Sequence, residues 1–363
     1  MKKINTNQKG ILIIEMMIGI LIAMFSVLAV YSLYANFEAQ KRTTVYTGGA
    51  LQNATLALFQ IEHDARDAGY GINNTSLMGC VVRTWDEVNS AGFNFTLAPA
   101  NIKFGASNTA PDSIIFISGN SDNAFNSLKI SANQAVSTDI YQVDNRYGML
   151  PGELLIIGET GKDCSLIQIA GLPTGSGFTS NILHTSGTYT DPGGATATTQ
   201  FNNPAGSGVV YSIAARVTNL GAIPNINTYS IINSQLNFKS GLGSAGTATP
   251  VSDQIVHMQA VYGKDTNADG IVDRWDRTPP VSGAAWAQVI SIRVAVLARS
   301  AVQEKPDAIT GICNATANNL ISWNSGVAGV SMDISGLPNW QCYRYRVMHT
   351  TIPLRNMIWN GTM

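Results

Sequence analysis

Twenty consecutive positions, Met16–Ala35, carry no charge. As a helix they would span about 30 Å, the thickness of a bilayer core. Lys2, Lys3 and Lys9 precede them, which favours keeping that end cytoplasmic. One acid, Glu15, stands at the entrance to the run. A secretory signal has a shorter apolar core closed by a small-residue cleavage site. Here the run continues into NFEAQKRTTVYTGGALQNATLALFQIEHDARDAG, where Phe37, Leu51, Ala54, Leu58 and Ile61 include spacings of three and four. That pattern predicts a helix with a continuing apolar face. Gly48-Gly49 predicts a bend or local break within it, and Gly69, Tyr70 and Gly71 its end.

Further on the period changes. SIIFIS (113–118), ELLIIG (153–158) and CSLIQIAG (164–171) are short apolar runs, the last two predicted to pair as a hairpin across GETGKD. GVVYSIAARVTNL (208–220), TYSIINSQLNF (228–238), QIVHMQAVYG (254–263) and WAQVISIRVAVLAR (286–299) continue the strand pattern. In RYRVMHTTIPLRNMIW (344–359), Arg344 and Arg346 alternate with Tyr345 and Val347, as in a final strand, and Arg355 and Asn356 are expected to tie the ending to the sheet. The order implies an α+β fold, a long amino-terminal helix packed on antiparallel sheet. Residues 171–208 and 239–252, rich in Gly, Thr, Ser, Asn and Pro, are predicted as long surface loops.

Composition narrows the setting. Charged residues are only 12% and apolar ones 45%, with 34 glycines. This fits an exported or assembled protein better than a disordered one. A net charge of -1 gives no reason to expect nucleic acid as a partner. Cys80, Cys164, Cys313 and Cys342 form no CxxC pair, so two structural disulfides are expected in an exported chain. Three pairings are open; we expect the one joining nearer cysteines, Cys80 with Cys164 and Cys313 with Cys342.

DTNADGIVDRWD (265–276) has the spacing of a calcium loop. Asp265, Asn267, Asp269 and Asp273 stand at positions 1, 3, 5 and 9, the Ile271 carbonyl at 7 and Asp276 at 12. Gly270 fills the sharp turn at 6. Asp276 replaces the usual Glu and no helix flanks the loop on either side. The reading is a calcium-stapled loop in a β domain, with a solvated acidic turn as the plainer account.

Enzyme signatures are missing. His63, His184, His257 and His349 form no HExxH, and there is no GxSxG elbow, P-loop or dinucleotide-binding glycine motif. His63, Asp64 and Asp67 are expected to pair on a helix surface rather than hold a metal. The aromatic residues are dispersed, with no stacking platform for nucleic acid or stripe for sugar. The chain is therefore expected not to be an enzyme, a membrane-anchored hydrolase being the weakest of the readings.

Gly10 followed by ILIIE resembles the class III signal of type IV pilins and type II secretion pseudopilins. That likeness implies cleavage after Gly10 by a prepilin peptidase, methylation of the new amino terminus on Ile11, and an assembly role for Glu15. The usual first residue is Phe, so Ile11 departs from the pattern. A carboxylate in apolar surroundings is costly unless paired; the amino group of Ile11 on a neighbouring helix would pair it and set axial register. DARDAGYG (64–71), PGELLIIGETGKDCSLIQIA (151–170), QAVYGKDTNADGIVDRW (259–275), WAQVISIRVAVLARS (286–300) and RYRVMHTTIPLRNMIW resemble the PilW family of minor pilins, in order along the chain. The resemblance implies a leader over 1–10, a helix over 11–70 whose 11–35 half lies in the membrane or filament core, and a head over 71–363. It further implies a single-pass inner-membrane protein with a periplasmic head that enters an extracellular pilus. Its partners would be other minor pilins, the major pilin and a PilY1-like tip protein, and its task the priming of pilus assembly. Alternatives are a type II secretion pseudopilin resembling GspJ, or an adhesin acting through the 171–208 loop.

Overall fold

The computed structural model describes residues 13–72, 74–121, 128–175, 177, 179–243, 246–307 and 309–360. Gly10 and Ile11 lie outside the described residues.

Helix α1, Ile13–Asp67, forms the spine. Its apolar first part, Ile13–Ala35, is exposed throughout and touches no part of the head. From Ala50 onward one face is buried: Ala50, Ala54, Ala57, Leu58, Ile61 and Ala65, followed just past the helix end by Ala68. Small side chains at these spacings let the helix axis approach the sheets closely. Phe37 and Leu51, expected on this face, are exposed at 67% and 40%. The break expected at Gly48-Gly49 is absent. No neighbour lies within 4 Å of a side chain built at either glycine. Each costs a helix only about 1 kcal/mol, and the packed stretch from Ala50 offsets it. Past Asp67 the chain turns at Gly69 (φ +85°) and Gly71 (φ +78°). The Gly69 amide donates to Ile117 O (2.8 Å), which joins the helix end to a strand.

Among the described residues, three larger sheets and three two-stranded ones build the head. The first runs in the order Ala91–Thr96, Val81–Asp86, Cys164–Gln168, Leu154–Gly158, Arg216–Gly221, Leu128–Lys129. Its Leu154–Gly158/Cys164–Gln168 hairpin is the predicted one. One contact departs from the antiparallel expectation, since Val81–Asp86 runs parallel to Cys164–Gln168. The middle sheet has the order Thr249–Asp253, Gln235–Ser240, Asn225–Ile232, Ser113–Ser118, Ala100–Lys103. The third has the order Arg274–Asp276, Ile255–Lys264, Val289–Arg299, Tyr345–Pro353. The packed half of α1 lies on Tyr345–Pro353 and Val289–Arg299, flanked by Thr249–Asp253 and Ser113–Ser118.

Some expected boundaries moved. TYSIINSQLNF is two strands, because Asn233 and Ser234 adopt φ +53° and +61° and make a two-residue hairpin turn. In 208–220 regular pairing begins only at Arg216; Tyr211 is buried by side-chain packing, its hydroxyl bonded to Ser165 and Asp163 O. The 171–208 insertion is not wholly a surface loop. It contains the short strands Asn181–Ile182, Thr188–Thr190 and Thr196–Thr198. Ile182 and Tyr141 share a second apolar cluster with Leu155, Ile157 and Ile167 on the back of the first sheet.

Candidate functional site

Glu15 lies in the first turn of α1, exposed, among exposed Ile14, Met16 and Ile18. Within this chain no basic side chain is paired with it among the described residues. The 23-residue span Ile13–Ala35, of mean hydropathy 2.5, is long and apolar enough to cross a membrane. Its length and composition are consistent with a single-pass anchor.

The junction of helix and head is held by polar pins at the edge of the core. The Tyr229 hydroxyl donates to Asp64 Oδ2 (2.6 Å), and Asn227 Nδ2 donates to the same oxygen (2.8 Å). Burial pushes the Tyr229 phenol well above its ordinary range, and the adjacent Asp64 carboxylate adds to this. His63 Nδ1 lies 3.3 Å from Asp64 Oδ1, the surface pairing that was expected, while Asp67 points elsewhere and is exposed. Lower on the helix, Ser252 donates to Asn53 O, and Asn53 Nδ2 donates to Asp253 O. Asn356 Nδ2 donates to Asp67 O and Ala68 O (both 3.1 Å). It thus satisfies carbonyls at the helix end, rather than tying the ending to the sheet as expected. Leu354 and Met357 supply the buried apolar contacts there. Nothing in the sequence spacing links Asp64 to Asn227 and Tyr229; their alternation on one strand face is the one legible hint.

The acidic loop leaves the end of strand Ile255–Lys264. Asp265 is buried, and its carboxylate accepts from the Ala268, Asp269 and Gly270 amides. Asn267 Oδ1 accepts from the Asp269 amide and Asp269 Oδ1 from that of Ile271. Asp273 Oδ2 accepts from the Thr266 hydroxyl and amide, which holds its carboxyl below the usual range. Gly270 turns at φ +83°, the position 6 geometry that the spacing demanded. The structure does not bring Asp276 to this group. That residue lies in strand Arg274–Asp276, 2.9 Å from the buried Lys264 amine and 2.7 Å from Arg274. Burial pushes Asp276 up, but Lys264, the Thr278 amide and Arg274 together pull it below the ordinary range. Among the described residues no group of three or more His, Cys, Asp or Glu is clustered as for a metal ion. The neighbouring Arg277 reaches Asp112 Oδ1 (2.8 Å) and lies over the Phe104 ring (4.6 Å). Burial pushes the Asp112 carboxyl up, against the Gly105 and Ala260 amides and Arg277.

Both disulfides join the expected partners, Cys80–Cys164 and Cys313–Cys342. The first staples the entry to strand Val81–Asp86 onto the parallel-paired strand of the first sheet. The second closes the irregular 301–340 region onto the approach to the last strand.

No curated protein matches the chain. Among solved structures it is similar to a type IV-like pilin from Thermus thermophilus, at 13% identity and a TM-score of 0.25, covering 57% of this chain and 85% of that one. At that score the likeness carries no argument, and the α+β architecture stands on the helix and sheets themselves. Residues 210–356 match the model of the type IV pilus-assembly protein W family. They include the third sheet, the acidic loop, the strand that carries Tyr229 and the ending that caps α1. Over residues 210–356, then, the chain is similar to the type IV pilus-assembly protein W family.

Proposed function

We propose that the protein is a minor pilin, a structural subunit that primes type IV pilus assembly with other minor pilins and a PilY1-like tip protein. The observation that carries this is the exposed Ile13–Ala35 half of a helix whose other half is built into the head. In the membrane that half is solvated by lipid; in a filament it would be covered by the same half of neighbouring subunits, including the major pilin. After cleavage behind Gly10, the Ile11 amino group of one subunit would neutralise Glu15 of the next. Gly10→Val should leave the leader attached and the subunit in the inner membrane. Glu15→Ala should spare cleavage and weaken incorporation. Minor pilins and the tip protein should co-elute with the tagged wild type from detergent-solubilised envelope, and less with Glu15→Ala. Normal pili and normal co-elution in both variants reject the mechanism. Recovery of type II secretion pseudopilins alone replaces the minor pilin with the GspJ-like reading.

The acidic loop is further proposed to hold calcium through Asp265, Asn267, Asp269, Asp273 and the Ile271 carbonyl. Support comes from oxygen-bearing side chains at alternate positions around the Gly270 turn, most of them exposed. The ion would neutralise the crowded acids and stiffen the loop. For an extracellular-type affinity on the order of 0.1–1 mM, about 10 mM calcium stabilises the head by about 1.4–2.7 kcal/mol. A melting shift that Asp269→Ala removes supports the site; no shift at that concentration rejects it.

A further inference from the structure

The part of the chain outside 210–356 contains a partly open pocket of about 170 Å³. Its floor is the face of the first sheet that carries Arg83, Trp85 and Asn94. Register puts them together: Arg83 is opposite Asn94, and Trp85 is opposite Gly92. Its roof is the 171–208 insertion, which folds back and lays Phe201 and Asn203 over the sheet.

Two glycines keep the space open. Gly92 stands opposite Trp85 in register, where a Cβ would meet only Thr84 O, and a Cβ at Gly208 would approach Arg83 Cδ. The Trp85 indole N–H is bound to Glu87 Oε2 (2.8 Å), which fixes the ring and leaves a face for contact. Arg83 is held at Nε by Asp163 Oδ2 (2.7 Å). The lining therefore combines a fixed indole, the Phe201 ring, the His184 imidazole, three carboxamides and an anchored guanidinium. The volume is close to the roughly 150 Å³ that accommodates one six-membered ring.

We infer that this cavity binds one hydroxyl-bearing sugar ring of a glycan, with its C–H face on Trp85 and its hydroxyls on Asn94, Asn203 and Arg83. A polyhydroxylated ring has both surfaces this lining offers partners for. Its aliphatic C–H bonds carry partial positive charge and suit the negative indole face. Its hydroxyls donate and accept, as carboxamides do. A purely apolar ring would offer the carboxamides no partner, at a cost of about 1–3 kcal/mol for each group so desolvated. The inference is independent of the pilus reading, because neither the helix nor residues 210–356 supplies the floor or the roof.

Saturation-transfer NMR on the full-length protein in detergent tests it, with methyl glycosides of glucose, galactose, mannose, N-acetylglucosamine and sialic acid at about 10 mM. At least one should receive saturation, strongest at its ring protons. Trp85→Ala should weaken that glycoside at least about tenfold. Gly92→Val fills the space beside the ring, and its new Cβ meets only ordinary contacts, with Thr84 O at 3.6 Å. It should abolish the signal while the melting midpoint stays unchanged. No transfer to any of the five glycosides overturns the proposal, and so does transfer that persists undiminished in folded Gly92→Val.

Discussion

The two ends of helix α1 reverse the usual relation between hydrophobicity and burial. Ile13–Ala35 is built of Ile, Leu, Met, Phe and Val and is wholly exposed. The stretch from Ala50 to Asp67 is less apolar, yet it carries the buried face. Bulk apolar surface left open over this length marks a segment whose solvent is something other than water. The alanine face is matched to surfaces already within the chain. One element thus has an internal address at one end and an external one at the other. Replacements on the two halves should therefore fail in different assays.

The largest effect should follow removal of residues 344–363. This takes away strand Tyr345–Pro353, on which the packed half of α1 rests, together with the Asn356 cap. The head should lose its cooperative melting transition, whereas membrane retention through Ile13–Ala35 should persist in fractionation.

Next in size is Ile61→Ala. Ile61 is fully buried, and its loss should destabilise the head by about 2–5 kcal/mol in chemical denaturation. The matched change Ile20→Ala, on the exposed half, should alter head stability by less than about 0.5 kcal/mol. Equal effects would erase the distinction between the halves.

Tyr229→Phe removes the hydroxyl that holds Asp64 while keeping the ring. A loss of about 1–3 kcal/mol is expected, since the donor serves a largely buried carboxylate. Asn227 still donates to that oxygen, which places the change toward the smaller value.

The most graded effect should come from acid. His257 is buried on strand Ile255–Lys264, with Nε2 2.9 Å from Asn108 O. Burial holds its pKa down to about 4, and nearby Arg277 adds to this against Asp333. A depressed histidine contributes stability that is complete above about 6.5 and is lost as pH falls towards 4. Melting midpoints measured between those values should fall more steeply for the wild type than for His257→Gln.

Much of this division was legible in residue order. The charge-free run announced the exposed half, and the isoleucine-rich hairpin and long third-sheet strands announced the head, because period and length act locally. Turn chemistry without glycine was less legible: Asn233 and Ser234 reverse the chain inside what reads as one strand. The helix through Gly48-Gly49 was missed because a local propensity loses to the packing that starts at Ala50. In the acidic loop, Gly270 and the alternating oxygens were readable, but the capture of Asp276 by Lys264 depends on a strand partner that spacing does not reveal. The Trp85–Phe201 cavity lay beyond reach for the same reason, since its two sides meet only when the insertion folds back on the sheet.

The capping of the spine by Asn356 also sets a clock on biogenesis. The ribosome makes α1 early, but the strand on which the helix rests is complete only once Pro353 has emerged. Until then the alanine face of a nascent chain lacks the last of the strands it packs on. A message broken before that codon yields a product that keeps the apolar Ile13–Ala35 half but has no finished head. Whole and truncated subunits would therefore differ in how completely one helical face is covered.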